Sequence, residues 1–178
     1  FANTTGTQNV AVGALALDAN TTASNNVAVG YGALTREDVG SANVAVGQGT
    51  LANQNTASAA NIYNTAVGHL AGAEVTTGTQ NTFIGGLAGD ANTTASNNEA
   101  VGYAALTANV TGTLNVAIGT FALGAYLSST STAVGYAALS LATGVENQAF
   151  GSRAMQNTTT GSENTAVGRS AMVSNTSG

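Results

Sequence analysis

The sequence contains no cysteine, proline, tryptophan or lysine, and only 6% of its 178 residues are charged. About 25% would be usual for a globular domain. Three arginines against eight acidic residues leave a net charge of −5. Nucleic-acid binding rests mainly on clustered Lys and Arg, so that class is excluded. A phosphate-cradling Gly-rich loop is excluded with it, because its motif ends in a lysine that the chain does not have. No apolar run approaches the roughly 18 residues of a membrane span, so membrane insertion is not expected. The missing cysteines leave the redox compartment open, since a secreted chain can do without disulfides if its repeats stack well. Large apolar residues are also scarce. The 43% hydrophobic content is mostly Ala and Val, and Gly adds 23 residues. Such a chain cannot fill a thick globular core. It can fill a thin one, with Ala and Gly inside.

What is present is repetition. The motif Asn-x-Ala-Val-Gly begins at Asn9, Asn26, Asn43, Asn64, Asn81, Asn98, Asn115, Ser131, Asn147 and Asn164. It closes on Gly13, Gly30, Gly47, Gly68, Gly85, Gly102, Gly119, Gly135, Gly151 and Gly168. Most of these glycines are equally spaced, as Gly13, Gly30 and Gly47 are. The steps from Gly119 to Gly135 and from Gly135 to Gly151 are slightly shorter, and the step from Gly47 to Gly68 is longer. The long step holds an insertion around Asn53 to Ala60, expected in a surface loop. Tandem copies of about 17 residues mark a solenoid, in which no single unit can bury its own apolar face and stacking supplies the burial.

Each copy reads as two short strands joined by turns. In Asn26-Val27-Ala28-Val29-Gly30, Val27 and Val29 point one way and Ala28 the other. The β-branched row faces outward and the small row inward. A second strand is expected at Ala33-Leu34, Ala105-Leu106, Ala122-Leu123, Ala138-Leu139 and Ala154-Met155. A turn glycine recurs three residues before the motif, at Gly6, Gly40, Gly78, Gly112, Gly144 and Gly161. Its fixed place suggests a positive-φ requirement. The leading Asn can form a side-chain ladder along the stack, each amide bonding the next.

Two further periods lie above the first. Residues 4–9 and 18–26 recur four repeats later, at 76–81 and 90–98. Just after the motif glycine, alternate copies carry Tyr31, His69, Tyr103, Tyr136 and Arg169, while the others place bulk one residue later, as in Leu15, Leu87, Phe121 and Arg153. Adjacent coils are therefore expected to interlock. The same alternation would also fit two motifs per turn; one motif per turn is the favoured reading.

The expected fold is thus all-β, a parallel β-solenoid or β-roll of about ten short coils with two short strands per coil, and residues 1–178 form one array. At about 4.8 Å per stacked strand, ten coils make a rod of about 48 Å. The continuous Val/Ile row on such a rod is an association surface, so a homo-oligomer is expected. The chain starts at Phe1 in a turn and stops at Ser177-Gly178 in another. It is expected to belong to a longer fibre or to stack end to end in a filament.

The Asn-Thr-Ala-Val-Gly repeats resemble the head repeats of trimeric autotransporter adhesins and, more closely in spacing, those of phage tail-fibre and other surface-fibre proteins. The resemblance covers nearly the whole chain. It implies a parallel β-roll, usually trimeric, displayed on a cell surface or virion. No catalytic or binding residue carries over, because that family's motif is structural.

Few other residues suggest chemistry. His69 is the only histidine, and a lone His forms no metal site. The acids are scattered; Glu37-Asp38 is the one adjacent pair, placed in a solvated turn. Asp18 and Asp90 recur too rarely for a calcium β-roll. No catalytic, cofactor or metal residues emerge, and an enzyme is not expected. Tyr31, Tyr103 and Tyr136 could present rings to sugars on one face, although ring packing between coils is the plainer role. Asn-x-Ser/Thr acceptors for glycosylation stand at Asn3, Asn20, Asn92, Asn109, Asn157 and Asn175, all in expected turns. The leading functional expectation is a structural segment of an extracellular fibre or adhesin, with self-association and host-surface glycans as partners. The competing one is a carbohydrate- or ice-binding rod; ice binding would want regular Thr-x-Thr, which the mixed second motif position does not supply.

Overall fold

The computed structural model describes residues 2–58 and 60–176. Ten three-residue strands follow in order: β1 Val10–Val12, β2 Val27–Val29, β3 Val44–Val46, β4 Thr65–Val67, β5 Thr82–Ile84, β6 Glu99–Val101, β7 Val116–Ile118, β8 Thr132–Val134, β9 Gln148–Phe150 and β10 Thr165–Val167. They form one parallel sheet in sequence order. Register is motif on motif: Ala11 pairs with Ala28, Ala28 with Ala45 and Ala45 with Ala66, so each turn of the solenoid holds one motif. The long step between β3 and β4 is absorbed without a register slip, because the extra residues sit between Asn53 and the short parallel bridge from Ser41 to Asn61.

The alternation sorts as expected. The central residue of each strand faces in: Ala28, Ala45, Ala66, Ala100, Ala117, Ala133 and Ala149 are fully buried. The flanking Val, Ile and Thr face out.

The second strand does not form. Leu34, Leu106, Leu123, Leu139 and Met155 all lie at φ between 48 and 56°, in the left-handed region. A pleated strand needs extended φ values near −120°. The residue two positions before each is left-handed as well, as at Gly32, Ala104, Phe121, Ala137 and Arg153. This alternation turns the chain sharply enough to close so short a coil. It still points amides along the rod, for Leu34 N–H donates to Thr50 O at 3.0 Å and Leu106 N–H to Ala122 O at 2.9 Å. Stacking thus fixes conformations that L-residues avoid at roughly 1–2 kcal/mol each. The return is burial. Leu17, Leu34, Leu51, Leu106, Leu123, Leu139 and Met155 form an inner column with no exposed surface.

That column is interrupted once, and the interruption is compensated. Phe83 takes the place of the strand alanine in β5 and is fully buried. In β5's own coil and in the coil of β4 before it, the inner Leu is replaced by Gly89 and Gly72. A Cβ on Gly72 would lie 2.8 Å from the Phe83 ring, and one on Gly89 would lie 2.4 Å from it. One ring therefore fills the space of two leucines.

The motif asparagines form the polar side of the core, and the ladder differs in detail from the expected one. Each Oδ1 accepts the backbone N–H of the next motif Asn: Asn43 N–H to Asn26 at 2.8 Å, Asn81 N–H to Asn64 at 2.9 Å, Asn98 N–H to Asn81 at 3.0 Å. Most Nδ2 groups donate to a turn carbonyl of the following coil, as Asn26 does to Gly40 O and Asn98 to Gly112 O, both at 2.9 Å. Direct amide-to-amide bonds occur only at some steps, such as Asn43 to Asn26 at 3.1 Å. At Ser131 the shorter side chain leaves room that Tyr126 fills, with its hydroxyl 2.6 Å from Ser131 Oγ. Ser131 Oγ still accepts the N–H of Asn147 at 3.1 Å.

The turn glycines need no positive φ. None of Gly6, Gly40, Gly78, Gly112 and Gly144 has one; the left-handed residue is instead the one just before the motif, such as Asn25, Gln80 or Leu114. The glycine is required by close approach. A Cβ on Gly78 would stand 2.2 Å from Ala95 O of the next coil, and one on Gly112 would stand 1.8 Å from Ser128 O.

Candidate association surface and binding cleft

The fourth motif position carries Val, Ile or Phe in every copy, from Val12 to Val167. Strand alternation turns this row outward, and in-register pairing stacks the copies directly above one another. Val67, Ile84, Ile118 and Phe150 are 37–41% exposed, although each touches its neighbours along the sheet. The second motif position, on the same face, mixes Val with Thr82, Glu99, Gln148 and other polar residues. The outer face is thus one unbroken apolar stripe beside a mixed one.

The motif residues Asn9 to Asn164 and Gly13 to Gly168 are structural. A Cβ on Gly30 would lie 2.4 Å from Gly47 O, and the same stacking recurs at Gly85 against Gly102 O. Their φ values of 123–137° confine these positions to glycine.

Next to the motif glycines, the expected interlocking is present across four coils. Tyr103 and Phe121 meet edge to face with centroids 5.7 Å apart, and Phe121 and Tyr136 do so at 6.4 Å. The Arg153 guanidinium lies over the Tyr136 ring at 5.8 Å. Tyr31 stands well away along the rod and joins none of these contacts. Of the three tyrosines read as possible sugar platforms, only Tyr103 and Tyr136 are brought together. Phe121, between them, shows in the sequence only as bulk one residue after the motif position of the tyrosines.

Beside this aromatic column runs a polar one, Thr107, Gly124, Ser140 and Gln156, each at the same place in successive coils. Gly124 leaves a gap in it. A cleft of 290 Å³ opens there, with Gly124, Ala125 and Ala137 in its wall and Phe121 and Tyr136 on one side. The two shortest coils, Gly119 to Gly135 and Gly135 to Gly151, supply most of its lining, with Thr107 and Gln156 from the coils to either side.

The remaining candidates separate by burial. Asn20, Asn92 and Asn109 are fully buried. Asn109 is held by Gly112, donating to its carbonyl at 2.8 Å and accepting its N–H at 3.0 Å. These three are withdrawn as glycan acceptors, since a sugar on an inward amide has no room in the folded rod. Asn157 is exposed, while Asn3 and Asn175 are half-buried; Ser177, the third residue of the Asn175 acceptor, lies outside the described residues.

Glu37 is likewise not solvated. It is fully buried, and its carboxylate accepts from Gly40 N–H at 2.7 Å, Thr56 Oγ1 at 3.1 Å and Gln54 Nε2 at 2.9 Å. It stands at the inward corner position that Asn20, Asn92 and Asn109 fill in other coils, with Gln54 as its counterpart in the next coil, and Thr56 of the insertion completes its partners. His69 is exposed. Among the described residues, no three His, Asp or Glu converge as metal ligands, and no helix is long and apolar enough to cross a membrane.

Compared with family models, curated proteins and solved structures, the chain matches none of them.

Proposed function

We propose that this chain is a structural repeat segment of an extracellular fibre or adhesin, displayed on a cell or virion surface, that associates with further copies of itself along its outer sheet face. The observation that carries this reading is the apolar stripe from Val12 to Val167, aligned residue on residue along the whole sheet. Contiguous exposed apolar surface of this extent marks an interaction site. A second copy is the occupant that fits, because an identical rod repeats the same spacing and can match the stripe over its full length. The low charge and the Asn- and Thr-rich turns suit a stiff spacer. The likeness of the motif to trimeric surface fibres makes three chains the expected number.

Sedimentation velocity on the purified chain tests the proposal. Replacing Val67 and Ile118 by Asp puts carboxylates in the stripe without touching the buried alanines or the Asn ladder. The unaltered chain is expected to sediment as an oligomer and the double variant as a folded monomer. A monodisperse monomer for the unaltered chain at micromolar concentration refutes self-association.

A further inference from the structure

We propose that the cleft over coils seven to nine binds a neutral saccharide, one hexose or N-acetylhexosamine unit of a longer chain. Its two walls differ in chemistry. One consists of Phe121 and Tyr136, exposed by 40% and 47% and held upright by their mutual edge-to-face contact and by Arg153. The other holds the polar Ser140 and Gln156 with the apolar Ala125 and Leu141 beside them. A pyranose presents the same division, with an apolar C–H face and a rim of hydroxyls. Binding sites for small molecules are clefts with aromatic walls and a few converging polar groups.

The polar wall has unspent capacity. Among the described residues, the Tyr136 hydroxyl, Ser140 Oγ and the Gln156 side-chain amide make no hydrogen bond within the chain. Between them they offer both donors and acceptors, as sugar hydroxyls require. A cleft built only to receive an apolar side chain of a second rod would not need them.

Charge argues for a neutral ligand. No charged residue lines the cleft. The local sequence also departs from the repeat here. Gly124 stands where the neighbouring coils carry Thr107 and Ser140, and a Cβ on it would meet only Phe121, its carbonyl oxygen at 3.1 Å. A side chain at 124 would require the Phe121 carbonyl to give by a few tenths of an ångström and would fill the cleft. This inference is separate from self-association, which uses the sheet face; sedimentation reads one and saccharide titration the other.

The test is a glycan array probed with the full chain, followed by nuclear magnetic resonance titration with the neutral and the sialylated forms of the best oligosaccharide. A single shallow cleft should give a dissociation constant on the order of 1 mM. The neutral form is expected to perturb Tyr136 and Gln156 resonances saturably. Tyr136→Ala, Gln156→Leu and Gly124→Leu should each weaken binding at least about tenfold, that is by about 1.4 kcal/mol, with circular dichroism unchanged. Tyr31→Ala should leave it unaltered. Preference for the sialylated form overturns the neutral assignment. No saturable binding to any array saccharide overturns the proposal, as does loss of oligomer in the cleft variants, which would mean that a second rod occupies the cleft.

Discussion

Phe83 and its two facing glycines give the sharpest test of how this core is packed. Truncating a fully buried phenylalanine costs about 3–5 kcal/mol, from lost transfer energy and the cavity left behind. Phe83→Ala should therefore be among the most damaging single changes in the chain. It also restores the strand alanine found in the neighbouring strands β4 and β6. The space it opens is the space that Leu occupies elsewhere, as at Leu51 and Leu106. Adding Gly72→Leu and Gly89→Leu should then refill it. Each new leucine takes a left-handed backbone at φ 58 or 57°, as Leu106 does at 56°. The conformational cost of about 1–2 kcal/mol per residue is offset by burying a leucine side chain, worth about 1.5–3 kcal/mol. The triple variant should lie within about 2 kcal/mol of the natural chain.

With Phe83 in place the same leucines cannot enter. Their Cβ atoms would lie 2.8 and 2.4 Å from the ring, and Leu51 Cδ2 is 2.9 Å from the first. Each single glycine substitution should cost about 1–3 kcal/mol or more from overpacking. Changes that are separately harmful and jointly restoring give a large favourable coupling in a mutant cycle. Denaturant unfolding, with amide exchange in the coils around β5, measures it. Amide exchange matters because stacked repeats need not unfold as one unit. If the triple variant is as unstable as the sum of its parts, the volume exchange is wrong.

Other substitutions probe the remaining features. Asn98→Ala strands the Asn115 N–H and leaves the Gly112 carbonyl only its bond from Asn109, and should cost about 1–3 kcal/mol in denaturant melts. Leu114 is 57% exposed at φ 61°; Asn, which occupies the same place at Asn25 and Asn97, tolerates that conformation, so Leu114→Asn should raise stability by up to about 1 kcal/mol. Burial pushes the Tyr126 phenol above its ordinary value of 10.0, against the lowering effect of its hydrogen bond to Ser131. The unfolded chain then gives up that proton first. Stability should be intact below pH 10 and fall above it by at most about 1.4 kcal/mol per pH unit until the folded phenol ionises. Tyr126→Phe should abolish this part of the pH dependence while lowering stability at neutral pH.

The period, the direction of the strand side chains and the Asn column were legible because each depends on residues close in sequence. In-register stacking then copies the local pattern upward without change. The corners were not legible. Left-handed leucine is disfavoured by every local preference, and Leu34 adopts it only because its N–H must meet Thr50 O while its side chain must fall inside. The turn glycines misled for a related reason. Glycine was read as a dihedral signal, yet at Gly78 and Gly112 the constraint is a carbonyl oxygen one coil away. Glu37 is buried because it falls at the inward corner that Asn20 and Asn109 fill in other coils, and its carboxylate is satisfied there by Gln54 and Thr56 of the next coil.

These misses share one cause, and it bears on how the rod works. In a solenoid the decisive partner of most residues lies one coil away, a full repeat further along the chain. A substitution is therefore judged by the coil above and the coil below rather than by its own segment. Phe83 is tolerated because Gly72 of the coil before it leaves room, with Gly89 of its own coil; Ser131 is compensated locally, by Tyr126 five residues earlier. Tolerance of this kind frees the outward positions to vary while the inner columns hold register. The cleft at Gly124 is such an outward variation on an unchanged inner frame: Ala122, Leu123 and Ala138 remain fully buried beneath it. The repeat thus supplies a rigid lattice on which a local departure in sequence can build a site without a new fold.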